Sequence, residues 1–132
     1  MGDLTKNFSK WEFECHCKKC TISDEVLENV KKVAEQLQIL RYYVDAEVTI
    51  NSAYRCLEHN RAIGSNDSSQ HPKGTAVDIT IQGYTPDEVV SIVENMLVNP
   101  YLHSFYIGGV GKYNSFTHLD IRENPARWDN RT

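Results

Sequence analysis

An α+β domain, with a small antiparallel sheet flanked by helices, is the fold class this sequence predicts. Two segments open with helix N-cap signals and continue as apolar stripes, and several short stretches alternate or are rich in β-branched residues. Their order along the chain is helix, strand, helix, strand, helix, strand, strand, which fits that class. A length of 132 residues suits one domain with a real core, so a single unit spanning 1–132 is expected, with a cysteine-containing arm at about 1–22.

The arm holds Trp11, Phe13 and three of the four cysteines. "TISDEVLENVKKVAEQLQIL" then predicts the first helix: Ser23 is the N-cap, Asp24 and Glu25 suit the positive helix end, and Val26, Val30, Val33 and Leu37 form the buried stripe. "AEVTINSAYR" predicts a strand over about 48–51, and "CLEHNRAIG" a short helix ending at Gly64. "SNDSSQHPKG" is a polar loop broken by Pro72 and Gly74, and "TAVDITIQG" predicts a strand ending near Gly83. Thr85, Pro86 and Glu88 make a strong helix start before Val89, Val90, Ile92, Val93 and Met96. "SFYIGGVG" and "FTHLDIR" predict two strands joined through the Gly-rich turn. There is no internal repeat or low-complexity tract.

A 40% hydrophobic content and 24% charged residues are those of a folded chain. The net charge of -4 argues against a phosphate-tracking surface, so no nucleic-acid partner is expected. No apolar run approaches the roughly 20 residues of a spanning helix, and "MGDLTKNFSKWEF" lacks the apolar stretch of a signal peptide. Synthesis in a cytoplasm, no membrane partner and a monomeric state are the expectations. A target outside the cell would require delivery by another agent.

The chemistry concentrates in "SSQHPKGTAVDI", residues 68–79. His71 lies in the loop and Asp78 in the following strand, and Gly74 and Ala76 are small enough to let the chain fold both side chains to one point. An imidazole and a carboxylate suit a borderline-soft divalent ion, and a catalytic zinc takes three protein ligands with one position left for water. "FTHLDIR" offers His118 as the third, with Asp120 on the same strand face by the period of two. Asp78 inside the apolar "AVDITI" would be costly without a partner.

These segments resemble a known family. "SQHPKGTAVDI" followed by "FTHLDIR" is similar to the SxHxxGxAxD and HxD signatures of the M15 zinc peptidases, in particular the D-alanyl-D-alanine carboxypeptidases and the phage L-alanyl-D-glutamate endolysins. Their fold is shared with the hedgehog signalling domain. "INSAYRCLEHNRAIG" looks like the segment that precedes the metal loop in those proteins, and "FSKWEFECHCKKC" resembles the cysteine-bearing entry of the phage-associated branch. The resemblance implies one catalytic zinc held by His71, Asp78 and His118, and Arg55 as the cation at the scissile carbonyl. It implies Ser69 and Gln70 beside the metal, and the stem peptide of bacterial peptidoglycan as substrate, hence action at the cell wall. Several relatives carry Glu or Asp three residues before the last histidine ligand, where this chain has Ser115. Asp120 is the substitute general base expected here; the alternative is that it orients His118 or pairs with Arg55 or Arg122. A zinc-binding recognition module of the hedgehog type, without turnover, is the other functional expectation. His59, His103, Tyr106 and Tyr113 could flank the cleft, although a structural role is the commoner fate of such side chains.

Cys15, Cys17, Cys20 and Cys56 form a C-x-C-x2-C cluster with a distant fourth member. A structural zinc site, one or two disulfides, and plain burial of Cys15 and Cys17 as small apolar groups are all open readings. Because Cys56 follows Arg55, any crosslink there would also brace the arginine.

Overall fold

The computed structural model describes residues 2–17, 20–66 and 68–132. In chain order it comprises α1 (Asp24–Val44), β1 (Val48–Ser52), α2 (Leu57–Ala62), β2 (Ala76–Ile81), α3 (Pro86–Leu97), β3 (Gly109–Lys112), β4 (Thr117–Asp120) and β5 (Ala126–Asp129). Single 3-10 turns lie at Lys10–Phe13, His71–Lys73 and Pro100–Leu102.

The helix signals act as expected. The Ser23 hydroxyl accepts from the Val26 N–H at 3.2 Å. Thr85 and Glu88 satisfy one another's backbone N–H groups at 3.2 and 2.8 Å, a complete capping box. Helix α1 runs past the expected end at Leu40 because no breaker follows; it stops at Asp45, which adopts φ 49°.

The sheet order is β1-β2-β4-β3-β5, and the first four strands pair antiparallel. β5 departs from the expected antiparallel sheet: it adds to the outer edge of β3 in parallel. Nothing local in "ENPARWDN" announces a strand, since Pro, Asn and Asp surround it; the free edge of β3 selects it. "SFYIGGVG" is strand only from Gly109, because the Tyr106 N–H is taken by the Gln36 side chain of α1 at 2.7 Å. Phe105 and Ile107 are buried all the same.

Val77, Ile79, Val110 and Leu119 project from one face of the sheet and join the buried residues of α1 and α3 in a single core. Thr117, on that face, donates to the Pro86 carbonyl at the start of α3 at 3.2 Å. Alternation then places Asp78, His118 and Asp120 on the opposite face. No helix among the described residues is long and apolar enough to cross a membrane.

Candidate metal centre

Asp78 and His118 are direct cross-strand partners between β2 and β4, so the sheet itself sets their separation. His71 reaches the same point from the 3-10 turn before β2, which ends at Gly74 in the left-handed region at φ 77°. That turn is tied to the neighbouring chain by the His71 carbonyl, which accepts from the N–H groups of Arg55 at 3.3 Å and Gly74 at 3.0 Å. His71 is 2% exposed, so the loop histidine of the sequence is a buried side chain.

The hydrogen bonds behind each ring decide which nitrogen faces forward. His71 Nδ1 lies 2.6 Å from the Ala53 carbonyl, which can only accept, so Nδ1 is a donor and Nε2 is the nitrogen left to face the ligand point. His118 Nε2 lies 2.8 Å from the ionised Asp120 carboxylate, so Nε2 is the donor and Nδ1 is left. The two remaining nitrogens converge on one oxygen, Asp78 Oδ1, at 3.3 Å from His71 Nε2 and 3.1 Å from His118 Nδ1. All three donor atoms lie within 4.8 Å of one another. Once their facing nitrogens give up a proton to a metal, two imidazoles and a carboxylate oxygen aimed at one point fit a divalent zinc ion by donor type. Burial pushes the Asp78 carboxyl up, but in the metal-free protein the hydrogen bonds donated by the facing nitrogens of His118 and His71 outweigh it and hold the group at about 2. Burial likewise lowers His118, and its bonds to Asp120 and Asp78 raise it above its ordinary value.

Asp120 is fully buried on the far side of the His118 ring. Its Oδ1 accepts from the Arg122 N–H at 3.1 Å and Arg122 Nε at 2.8 Å, while Oδ2 accepts from His118 and from Arg122 Nη2 at 2.7 Å. Burial raises this carboxyl, and the bonds from His118 and Arg122 overcome it and keep it well below the usual carboxylate range. The expectation that Asp120 is a general base does not suit this placement: its oxygens are occupied and the imidazole stands between it and the ligand point. The pairing with Arg122 and the hold on His118 are what the geometry supplies.

Small neighbours make that arrangement possible. Asp120 is flanked across the sheet by Ala76 and Gly109, and His118 by Asp78 and Gly111. A Cβ on Gly109 would fall on the Asp120 carboxylate, and one on Gly111 would meet the Trp128 ring.

The three ligands open into a cleft of about 460 Å³ whose walls include Arg55, Ser69, Gln70, Tyr113 and Trp128. Among the described residues Arg55 Nε is buried with no hydrogen-bond partner. Burial lowers the Arg55 pKa, and Asp78 opposes the shift. His59 and His103 do not line the cleft, and the Tyr106 hydroxyl is engaged by the Arg122 and Glu123 carbonyls at 2.6 and 2.8 Å. Trp128 was not anticipated from the sequence. It rides on β5, lies tilted at 52° with its ring 4.9 Å from the His118 ring, sits 5.1 Å from the Arg122 guanidinium, and donates from Nε1 to the Tyr113 hydroxyl at 3.1 Å. Its one sequence signal is the alternation in "ARWD", which is too short to read without the edge it joins.

A family model, Peptidase M15, matches residues 6–120, a span that includes both histidine ligands, Asp78 and the cysteine-bearing arm. The chain belongs to the peptidase M15 family. Membership places it among metallopeptidases, and M15 peptidases use zinc. No curated protein matches the chain. β5 and Trp128 lie beyond the matched span, so one wall of this M15 cleft is built by a segment that the family model leaves out.

The M15 chain also gathers its four cysteines. The sulfurs of Cys15, Cys17, Cys20 and Cys56 all lie within 4.8 Å of one another. Cys17, Cys20 and Cys56 line a separate depression with Glu58 and His59, away from the cleft.

Proposed function

We propose that this M15 protein is a zinc-dependent peptidase that hydrolyses the stem peptide of bacterial peptidoglycan, as a D-Ala-D-Ala carboxypeptidase or an endolysin-like L-Ala-D-Glu endopeptidase. The observation that carries the proposal is the convergence of His71 Nε2, His118 Nδ1 and Asp78 Oδ1 at the floor of an open cleft. The substrate class follows from the family, whose members act on peptidoglycan peptides in general. In this reading the protein acts at the bacterial cell wall, delivered there by a phage.

His71, Asp78 and His118 would hold the zinc, which supplies Lewis acidity at a peptide carbonyl and acidifies water at neutral pH. Ala53 and Asp120 keep the two imidazoles in the tautomers that leave a lone pair forward. Arg55 presents a permanent positive charge in the cleft and, with a buried Nε that lacks a partner, binds the oxygen on which negative charge develops. Asp120 is a positioning residue. Ser69 and Gln70 contact the peptide from the loop before His71.

A second reading, a zinc-binding recognition module of the hedgehog type, is favoured by one observation. Asp120 is engaged, Ser115 is exposed outside the cleft, and among the described residues Asp78 is the only carboxylate lining it. Zinc analysis of the purified protein, together with release of peptides or amino acids from purified peptidoglycan with and without chelator, separates the two. Release that chelator abolishes and zinc restores is expected. Zinc-loaded protein that releases nothing from any wall type would overturn the peptidase reading in favour of the module.

A further inference from the structure

We infer that Cys15, Cys17, Cys20 and Cys56 hold a second, structural zinc ion that closes the N-terminal arm onto the start of α2. The inference stands on geometry that the cleft proposal does not use. The Cys17 sulfur lies 3.3 Å from that of Cys20 and 3.8 Å from that of Cys56, and Cys15 and Cys56 are 3.9 Å apart. Thiolates about 2.3 Å from a tetrahedral zinc stand about 3.8 Å from one another, so these sulfurs already sit near the edge length such an ion imposes.

The competing chemistry is a disulfide, which would have to draw one pair to about 2.0 Å. No pair is singled out. Cys17 is near both Cys20 and Cys56, and Cys56 is near both Cys17 and Cys15, so the four behave as a shell and not as two couples. A shell of four sulfurs with no oxygen selects a soft or borderline cation, and zinc closes such a shell with no position left open.

The surroundings hold the sulfurs in place. Cys56 caps α2, its sulfur accepting from the His59 N–H at 3.4 Å, which fixes its direction. The Tyr54 N–H donates to the Phe13 carbonyl at 3.0 Å and brings the arm alongside. The crosslink would span 41 residues of sequence from Cys15 to Cys56 and would hold the residue that follows Arg55.

The test uses the intact chain, purified without added reductant and with zinc present. Elemental analysis is expected to find two zinc ions per chain, and an organomercurial thiol reagent to release one of them as the four thiols react. Cobalt-substituted protein is expected to show a near-ultraviolet thiolate-to-cobalt charge-transfer band. The band should survive in His118→Ala, which removes a cleft ligand, and be lost in Cys20→Ser. An intact mass lower by two or four hydrogens would overturn the inference in favour of disulfides. Four freely reactive thiols with no mercurial-released zinc and no band would overturn it as well. The wild-type mercurial and mass measurements decide the matter even if Cys20→Ser fails to fold. Loss of hydrolysis with the band intact would count against the cleft proposal alone.

Discussion

The two ligand clusters of this M15 domain are assembled by opposite means. His71, Asp78 and His118 are set by a sheet register and by a hydrogen bond behind each imidazole, and they face a cleft. The four cysteines come from an irregular arm and the cap of a six-residue helix, and they face one another. Three donors with an open side suit chemistry, and four that enclose a point suit architecture. Rigid backing is therefore concentrated where a ligand must keep a direction, and chain crosslinking where a segment lacks enough core of its own.

That contrast can be broken most sharply at His118. His118→Ala is expected to abolish peptide release and remove the cleft zinc while leaving the cysteine-bound ion in place; loss of both ions would show that the clusters are not independent. Asp120→Asn comes next, because an amide can donate to His118 Nε2 and turn the ring to the wrong tautomer. Zinc affinity in the cleft should fall by about 10–100-fold, with hydrolysis largely recovered at saturating zinc. If instead affinity is unchanged and hydrolysis stays lost at saturating zinc, Asp120 moves a proton after all.

The hold on Asp78 is checked by acid. Its carboxyl is at about 2 in the folded protein, against an ordinary value of about 4. It therefore adds stability that is complete above pH about 4 and is lost as the pH falls toward 2. Denaturant unfolding of metal-free protein should show this loss in the wild type and not in Asp78→Asn; parallel curves would mean that the imidazoles do not hold the carboxylate.

Gly109→Ala places a methyl on the Asp120 carboxylate and should cost about 1–3 kcal/mol in denaturant unfolding, with a parallel loss of cleft zinc affinity. Thr85→Ala removes a cap remote from both clusters and should cost about 1 kcal/mol with no change in zinc content. A zinc effect from Thr85→Ala would show that overall stability, and not local backing, governs the site.

The reading of individual residues shows why some of this was legible. The caps at Ser23 and Thr85 are local hydrogen bonds between residues three apart, so their pattern is complete within a few letters. Val48–Ser52 and Ala76–Ile81 alternate strongly enough to be placed, and Asp78 stood out because a carboxylate in "AVDITI" needs a partner. Asp120 was ambiguous in the sequence because the period of two puts it on the His118 face but does not say whether its oxygens are free. The Arg122 fork and the Gly109 opening that answer the question are contacts of a folded sheet.

By itself the sequence determined the residue types and spacing of both clusters, the helix boundaries set by caps, and the family, because each is written in short covalent stretches. Tertiary structure alone decided which nitrogen of each histidine faces forward, that Asp120 backs His118, and that four sulfurs form one shell. It also decided that β5 carries Trp128 into the cleft wall. The physical reason is common to all four: directed hydrogen bonds and edge pairing depend on groups tens of residues apart, whose approach is settled only when the sheet and core form.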